Sequence, residues 1–123
     1  MAEIRREKIF RPRAEFIANF LGPKKKLAIG DIGAGFGLFL EELKKIFAEN
    51  SYVAIDPSLE MAEICQKKEL EVLNSTLEDL DNGQISFDLL TAFELLEHLC
   101  NPRLFFKKVY AILKPGGILF LRP

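Results

Sequence analysis

The chain has 123 residues, of which 49% are hydrophobic and 28% are charged, and its 17 Lys and Arg side chains are balanced by 18 Asp and Glu. This length suits one compact domain, and the apolar content excludes an intrinsically disordered chain. The charge balance excludes a broadly basic nucleic-acid-binding surface, and no apolar run approaches the roughly 20 residues that span a bilayer.

The N-terminal segment, residues 1–23, is predicted to be helical and to form a single domain, residues 1–123, together with an α/β core at residues 24–123. Pro12 can open the helix, because its missing N–H would have no partner in a first turn. The helix is expected to end at Gly22-Pro23. Its predicted buried face comprises apolar residues that recur at helical spacing: Phe16, Ile17, Phe20 and Leu21.

Short apolar segments predict five strands, at residues 27–32, 52–55, 70–73, 87–93 and 117–121. Helices are predicted between them, including one capped by Ser58 and one opened by Asn101-Pro102. Strands that alternate with helices form βαβ units, which give a parallel sheet with helices on both faces. We therefore expect a Rossmann-like, doubly wound α/β fold with about five parallel strands.

The first predicted strand leads into a glycine-rich turn, Asp31-Ile32-Gly33-Ala34-Gly35-Phe36-Gly37. Glycines allow a sharp turn and let a ligand approach the backbone closely. The dinucleotide fingerprint G-x-G-x-x-G would need glycine where this chain has Leu38. The carboxylate of Asp31 suits a ligand with a cationic amino group better than one with a pyrophosphate. The alternative is a turn with a purely structural role.

Asp56 lies about 20 residues after the glycine-rich turn, at the end of the second predicted strand. An acidic residue at that place typically accepts hydrogen bonds from ribose hydroxyls, and the alternative is a helix cap before Pro57. Ligands of such sheets bind beyond the carboxyl ends of the strands, where the strand order reverses. We therefore expect Asp56 and the glycine-rich turn on one rim, with the segments that follow Leu73 and Phe93.

Five blocks of sequence together resemble the class I S-adenosylmethionine-dependent methyltransferases, in the order and spacing of that family. The blocks are LAIGDIGAGFG at 27–37, YVAIDPSLEM at 52–61, NSTLEDL at 74–80, FDLLTAFELLEHLCNP at 87–102 and LKPGGILFL at 113–121. The nearest subgroup is that of small-molecule methyltransferases similar to ubiquinone-biosynthesis O-methyltransferases, which share the Glu-His-Leu turn. The resemblance implies the strand order 3-2-1-4-5, S-adenosylmethionine as cofactor, and methyl transfer to an oxygen or nitrogen of a small-molecule acceptor.

The resemblance also implies which residues bind the cofactor. Asp31 and the backbone of the turn would face its methionine portion, and Asp56 would hold its ribose. The carbonyl of Phe93 would meet its amino group. Many relatives have aspartate where this chain has Thr76, which leaves the contact with the adenine amino group open. The full set implied is Asp31, Gly33, Ala34, Gly35, Asp56, Pro57, Thr76, Leu77, Glu78 and Phe93, of which Pro57, Leu77 and Glu78 would border the adenine.

His98, the only histidine, follows the fourth predicted strand on the cofactor side of the sheet. An unperturbed imidazole takes up and releases protons near neutrality, so His98 is a candidate base for the acceptor. The alternatives are a histidine that shapes the turn, and Glu94 or Glu97 as the base. Of these two, Glu94 is expected to lie closer to the cofactor.

The methyltransferase fold normally continues past the fifth strand with further helices and an antiparallel hairpin, which are missing after Pro123. The fifth strand would then be an apolar sheet edge, and open edges invite pairing with another chain. We expect a fragment of a longer protein or a domain completed by a partner, such as a homo-oligomer paired through this strand.

Cys65 and Cys100 belong to no CxxC pair, so we expect free buried thiols and neither a disulfide nor a metal site. The charged N-terminus lacks the apolar core of a signal peptide, which predicts a cytoplasmic protein that binds no membrane. Two further functional hypotheses stay open. One is a cofactor-binding or structural module without catalytic activity, and the other is a nicotinamide-dependent oxidoreductase on a similar sheet.

Overall fold

The computed structural model describes residues 2–81, 83 and 85–122. A sheet of five parallel strands runs through it: β1 (Ala28–Ile32), β2 (Ser51–Ile55), β3 (Glu71–Leu73), β4 (Phe87–Phe93) and β5 (Leu113–Arg122). The strand order is β3-β2-β1-β4-β5, which confirms the prediction. Because the order reverses between β1 and β4, a crevice forms beyond the carboxyl ends of these two strands.

Helices cover both faces of the sheet, as predicted. The N-terminal helical run consists of α1 (Ala2–Arg5), a π-helical segment (Arg6–Phe10) and α2 (Arg11–Leu21). It is followed by α3 (Leu38–Ile46), α4 (Leu59–Lys67), a 3₁₀ turn (Leu96–His98) and α5 (Pro102–Ile112). Both predicted caps are confirmed, since the Ser58 hydroxyl accepts a hydrogen bond from a backbone N–H of α4 at 3.3 Å, and the Asn101 side chain accepts one from α5 at 3.1 Å.

Alternate residues of each strand face opposite sides of the sheet, which divides the apolar core into two layers. On one side, Ile29 and Leu89 pack with buried residues of α2 and α3. On the other side, Leu90 and Ala92 pack with buried residues of α5, such as Phe105. Both layers end at the carboxyl edge of the strands, where the connecting loops converge.

The fifth strand begins earlier than predicted, at Leu113. Leu113 pairs with Phe87, but the next pair along the ladder joins Leu89 to Ile118, so residues 114–117 bulge out of the strand. Gly116 adopts φ +81° in this bulge, which an L side chain rarely does. The Pro-Gly-Gly sequence therefore ends α5 as predicted, and it forms a bulge within β5 instead of a separate loop.

The N-terminal helix was predicted to start at Pro12, but it begins earlier in the chain. The chain is already helical at Ala2, and Pro12 lies in the first turn of α2, directly after the π-helical segment. Proline cannot donate a hydrogen bond to the preceding turn, and irregular turns are common where the α-helical ladder is interrupted. The N–H of Arg11 donates to the carbonyl of Arg6, five residues earlier. This wider turn brings Arg6 and Arg11 to the same side of the helix.

The predicted buried face of this helix is half wrong. Ile17 and Leu21 are buried, and Ala14 is buried with them, whereas Phe16 and Phe20 are 55% and 59% exposed. Residues 14, 17 and 21 share one helical face, so the helix is rotated to place a small alanine against its neighbours. The ring of Phe16 lies instead at the margin of the sheet.

A cluster of charged side chains joins the N-terminal helix to α3. The side chain of Glu42 is only 2% exposed, and its carboxylate accepts hydrogen bonds from Arg6 at 3.0 Å, Arg11 at 2.9 Å and Lys45 at 2.7 Å. Arg6 also donates to Glu41 at 2.6 Å. Burial alone would raise the pKa of Glu42, but the three hydrogen bonds outweigh this effect and hold the pKa at about 2.

Replacing Glu42 with alanine is expected to lower the free energy of unfolding by about 3 kcal/mol at pH 7, because two arginines then lie together without their shared carboxylate. The pKa of Glu42 is depressed from 4.5 to about 2, so its stabilisation is fully present above pH 4.5 and is lost as the pH falls towards 2. Urea unfolding at pH 7 and pH 3 measures the free energy of unfolding of both proteins. The difference in this free energy between the original chain and the variant should be smaller at pH 3 than at pH 7. Glu63→Ala, on the exposed face of α4, is the control. Equal losses in both variants would contradict the prediction.

Candidate functional site

The glycine-rich turn lies at the carboxyl end of β1 and is bonded to the end of β2. Ile32 pairs with Ile55, and the turn begins at the next residue. The N–H groups of Gly33 and Ala34 both donate to the carbonyl of Ile55, at 2.8 and 3.2 Å. The backbone of the turn is therefore fixed by the sheet itself.

The three glycines of the turn have different roles. Gly33, Gly35 and Gly37 adopt φ values of +72°, +58° and +80°. A Cβ at Gly35 would meet none of the described atoms within 4 Å, and one at Gly33 would meet a leucine side chain at 3.6 Å. At Gly37 it would lie 2.9 Å from the sulfur of Cys65 and 2.9 Å from a methyl group of Leu70. Gly37 is thus required by packing, whereas Gly33 and Gly35 leave open space beside the backbone.

Asp56 ties three segments of this rim together. One carboxylate oxygen accepts the N–H of Gly35 at 2.9 Å, and the other accepts the N–H of Ser58 at 2.9 Å. The backbone N–H of Asp56 donates to Leu73, and its carbonyl accepts from the amide of Asn74. Each carboxylate oxygen keeps a further acceptor site. Asp56 therefore closes a local turn before α4, whose cap is Ser58 and not Asp56, and it can still accept ligand hydroxyls.

Asp31 is a buried acid at the end of β1, with 4% of its surface exposed. The hydroxyl of Thr91 on β4 donates to its Oδ1 at 2.8 Å. Burial raises the pKa of Asp31 to about 7, against the lowering effects of the Thr91 hydrogen bond and the charge of Arg13, and with a further rise from Asp56. A carboxyl that is only partly ionised at neutral pH gains interaction energy when a cation arrives beside it.

Two cavities open on either side of Gly33. The first, here called the turn cavity, has a volume of about 260 Å³ and is lined by Asp31, the glycine-rich turn, Phe93 and Glu94. The second, here called the side cavity, has a volume of about 200 Å³. Residues named in the sequence analysis line it, among them Gly33, Pro57, Thr76, Leu77, Glu78 and His98. The two cavities share Gly33, so one extended ligand can occupy both.

Three of the predicted cofactor-binding residues in the side cavity, Thr76, Leu77 and Glu78, come from the segment after β3. Leu77 is buried with 2% of its surface exposed, whereas Glu78 is exposed. The hydroxyl of Thr76 accepts the N–H of Asp79 at 3.2 Å and so closes the local turn. One acceptor site of the Thr76 hydroxyl is therefore used within the protein.

The candidate bases are separated by the structure. Glu94 adopts φ +58°, its N–H donates to the carbonyl of Arg122 at 2.8 Å, and it lines the turn cavity near Asp31. The side chain of His98 is 73% exposed and lines the side cavity, and its nearest ion-pair partner is Glu97 at 3.9 Å. Of the candidates, only Glu94 is brought together with Asp31 among the described residues.

Arg13 is a residue of the turn cavity that the sequence analysis missed. Its guanidinium lies 4.6 Å from the centre of the Phe93 ring and 5.9 Å from that of Phe10, and it forms an ion pair with Glu94 at 3.3 Å. Its side chain is 12% exposed. The sequence carries no signal for Arg13, because the burial of the neighbouring Ala14 is seen only in the structure. The N-terminal helix thus contributes directly to this site.

Both cysteines are free, as predicted, but only Cys65 is buried, whereas Cys100 is exposed. The thiol of Cys65 lies 3.4 Å from the carbonyl of Gly35, and burial raises its pKa. Across the residues with described positions, no group of three or more His, Cys, Asp and Glu side chains could hold a metal ion. No helix in the same part of the chain is long and apolar enough to cross a membrane.

Comparison with known proteins agrees with this geometry. A family model described as a methyltransferase domain matches residues 30–121. The mitochondrial ubiquinone biosynthesis O-methyltransferase of Dictyostelium discoideum is 32% identical in an alignment that covers 80% of this chain and 36% of that protein. The ubiquinone biosynthesis O-methyltransferase of Xanthomonas axonopodis is 33% identical, with 89% of this chain and 47% of that protein covered. The chain therefore spans about a third to a half of the length of these relatives.

Two solved structures share the fold. A coclaurine N-methyltransferase bound to N-methylheliamine and SAH matches with a TM-score of 0.79 and 18% identity, over 89% of this chain and 34% of that one. The plantazolicin methyltransferase BpumL in complex with SAH matches with a TM-score of 0.81 and 17% identity, over 98% of this chain and 50% of that one. At this identity the likeness establishes the architecture.

Proposed function

The chain belongs to the methyltransferase domain family, and from that premise we propose that it binds S-adenosylmethionine and transfers its methyl group to an oxygen or nitrogen of a small-molecule acceptor. The observation that carries the proposal is the pair of cavities that share Gly33, with the buried acid Asp31 in one of them. A second acid, Asp56, is in neither lining but is bonded to the N–H of Gly35 in the same turn. The names of the relatives and the SAH in the structural neighbours support the same cofactor.

The turn cavity suits the methionine portion of the cofactor. The ammonium group of the methionine portion would be bound by the carboxyl of Asp31 and the backbone carbonyl of Phe93. Gly33 and Gly35 have no side chain and leave room for the carbon chain of the methionine. Asp56 has one remaining acceptor site on each oxygen for the two ribose hydroxyls. These assignments, with Ala34 as a neighbour in the turn, form our proposal for one end of the site.

The side cavity suits the adenine. Its lining combines the apolar Pro57 and Leu77 with polar groups on Thr76 and Glu78, which is the mixture that a flat, hydrogen-bonding ring needs. Thr76 already accepts the N–H of Asp79, so it has less acceptor capacity than an aspartate would have. We therefore expect Glu78 or the backbone to take a larger share of the adenine contacts.

When bound, S-adenosylmethionine supplies an electrophilic methyl group on a positively charged sulfur. The residues around the bound cofactor then have to hold the acceptor in line with that bond and exclude water. An oxygen or nitrogen acceptor also loses a proton. Glu94 is the better candidate to receive it than His98, because Glu94 lines the same cavity as Asp31. Glu94 is held at the edge of this cavity by its ion pair with Arg13 at 3.3 Å.

Calorimetric titration of the chain with S-adenosylmethionine, S-adenosylhomocysteine and NAD tests the proposed cofactor. We expect saturable binding of the first two and none of NAD. Binding of NAD alone would favour the nicotinamide-dependent alternative. Binding of both methyl-donor compounds without transfer to any acceptor would favour a cofactor-binding module without catalytic activity.

The remaining expectations stay proposals of the same kind. We propose that residues 1–123 act as one cofactor-binding domain, with the N-terminal segment 1–23 as part of its site. A cytoplasmic location, and self-association through the edge of β5, also remain predictions. Size-exclusion chromatography with light scattering of the chain tests the second of these.

The Asp31→Asn variant tests the role of the buried acid through pH. Because the pKa of Asp31 is about 7, the ionised fraction rises from roughly a tenth at pH 6 to nine-tenths at pH 8, and S-adenosylhomocysteine should bind several-fold more tightly at pH 8. The variant should bind weakly at both pH values. Stability runs the opposite way, because the stabilisation that comes with a raised pKa is fully present below pH 3.8 and is lost by about pH 7, so at pH 8 the ligand-free variant should be the more stable chain. Parallel pH profiles for both chains would contradict the assignment.

A further inference from the structure

Lys68 lies at the end of α4, in contact with the glycine-rich turn. The helix ends at Lys67, and Lys68 is its C-cap. The N–H of Leu70 donates to the carbonyl of Cys65 at 3.1 Å, and the intervening Glu69 adopts φ +62°. A left-handed residue with such a hydrogen bond closes a helix end. The backbone of Lys68 is therefore fixed at a place from which its side chain can reach the turn.

The side chain of Lys68 bonds the turn and not its own helix. A lysine at a helix C-terminus commonly interacts with the last carbonyls of that helix. The Nζ of Lys68 donates instead to the carbonyl of Phe36 at 2.9 Å, 32 positions earlier in the chain. The lysine side chain is only 22% exposed. Its contact with the turn is therefore partly screened from water, and stabilising α4 does not account for it.

The peptide group between Phe36 and Gly37 is held at both of its polar atoms. Its N–H, that of Gly37, donates to the carbonyl of Ala34 at 3.0 Å, and its carbonyl accepts from Lys68. Gly35 and Gly37 adopt left-handed φ values on either side of Phe36, so the backbone here has few steric restrictions of its own. Ala34, Gly35 and Phe36 line the turn cavity. The shape of this wall of the cavity therefore depends on the hydrogen bonds that hold the peptide group.

Glu41 of α3 orients the ammonium group of Lys68. One oxygen of its carboxylate lies 3.6 Å from the Nζ of Lys68 and accepts a hydrogen bond from Arg6 at 2.6 Å. Burial would raise the pKa of Glu41, but the hydrogen bond from Arg6 and the charge of Lys68 outweigh this effect and lower the pKa. Glu41 is therefore ionised at neutral pH, and its charge favours the position of the ammonium group beside the turn.

We propose that Lys68 is a positioning residue for the cofactor, whose ammonium group, oriented by Glu41, bonds the carbonyl of Phe36 and keeps the glycine-rich turn in the shape that binds the methionine portion. This inference rests on the proposed function and adds to it a residue outside the linings of both the turn cavity and the side cavity. Because Lys68 acts through the turn, its effect is confined to the part of a ligand that the turn cavity holds.

Two ligands that differ only in the amino-acid portion test this role. S-adenosylhomocysteine carries that portion on its sulfur, whereas methylthioadenosine carries a methyl group there. Isothermal titration calorimetry compares both ligands on the original chain and on Lys68→Met. We expect this variant to bind S-adenosylhomocysteine about tenfold more weakly and methylthioadenosine within about twofold of the original chain. Lys68→Arg keeps a charged donor and should bring the affinity for S-adenosylhomocysteine back to within about threefold.

Two further variants make the test specific. Lys67→Met changes an exposed lysine one position earlier on α4 and should leave the affinity for both ligands unchanged. Glu41→Gln leaves Arg6 bonded to Glu42 at 3.0 Å. It should weaken S-adenosylhomocysteine about threefold in the original chain but less than about twofold in Lys68→Met, because it acts through Lys68.

The outcomes separate this inference from the proposed function. Equal losses of affinity for the two ligands in Lys68→Met, or an unchanged affinity for S-adenosylhomocysteine, would overturn the positioning role while leaving the cofactor site in place. Failure of the original chain to bind S-adenosylhomocysteine would overturn the proposed function, and the role of Lys68 with it.

Discussion

The Asp56→Ala variant is expected to bind S-adenosylhomocysteine at least about a hundredfold more weakly, since two hydrogen bonds from ribose hydroxyls to a charged acceptor contribute about 3 kcal/mol or more. The loss has a second cause. The carboxylate of Asp56 holds the N–H of Gly35 at 2.9 Å and that of Ser58 at 2.9 Å, so its removal also releases the turn that faces the ligand. Isothermal titration calorimetry of the chain and the variant measures the change.

Asp88 offers a matched control for this variant. Its carboxylate also accepts a backbone N–H, that of Ala28 at 2.8 Å, and it pairs with Lys114, but it lies at the start of β4, at the opposite end of the sheet. Asp88→Ala should therefore cost comparable stability and leave the affinity for S-adenosylhomocysteine unchanged. If both variants lose affinity equally, the effect of Asp56 is on the fold and the ribose assignment fails.

The Gly37→Ala variant is expected to lose about 3 kcal/mol of unfolding free energy, the sum of a left-handed backbone strain and an overpacked core. Its Cβ would lie 2.9 Å from both the sulfur of Cys65 and a methyl group of Leu70, at a residue with φ +80°. Both neighbours are buried and can move little. Urea unfolding followed by circular dichroism measures the loss.

Gly35→Ala is the contrasting variant in the same turn. Its φ of +58° also carries strain, but its Cβ would meet no described atom within 4 Å, so the expected loss is only about 1 kcal/mol. The same Cβ would project into the turn cavity and should weaken S-adenosylhomocysteine binding at least tenfold. Cys65→Ala combined with Gly37→Ala should recover part of the lost stability. Equal stability losses at Gly35 and Gly37 would contradict the division of roles.

The helices and strands could be predicted from sequence patterns because the signals for them are local. The strand at residues 87–93 is bounded as predicted, and the caps at Ser58 and Asn101 are each fixed by residues within three positions. The strand order came from the family resemblance and not from spacing, since pairing of β1 with β4 joins residues about 60 positions apart. The bulge within β5 could not be seen from the Pro-Gly-Gly sequence alone, because a stop and a bulge need the same residues.

The orientation of the N-terminal helix was beyond sequence patterns. Phe16 and Phe20 fit an apolar stripe as well as Ala14 does, and the choice depends on the charged contacts that Arg6 and Arg11 make with Glu42 on α3. Those partners are more than 30 positions away along the chain. For this reason the contribution of the helix to the turn cavity was missed, although the glycine-rich turn was located correctly.

The sequence also could not show that Glu94 and His98 line different cavities. They are close neighbours in sequence, but the left-handed backbone at Glu94 and the following 3₁₀ turn send their side chains to different cavities. A pattern of residue types carries no information on such a reversal. The role of His98 as a base stays a prediction, and the structure places His98 in the side cavity, apart from Asp31 and Glu94.

Arg13 lines both the turn cavity and another cavity, of about 500 Å³, between the N-terminal helix and the end of β5, and this shared position has a thermodynamic consequence. Its guanidinium is held by the ring of Phe93 at 4.6 Å and by Glu94 at 3.3 Å, and both of these neighbours lie at the end of one strand. A ligand that displaces this side chain from one cavity alters the other, so occupancy of the two cavities is energetically linked. Linkage is reciprocal, so any factor by which one ligand changes the affinity for the second must equal the factor in the reverse direction. The side chain of one residue can in this way couple the affinities of the protein for two ligands.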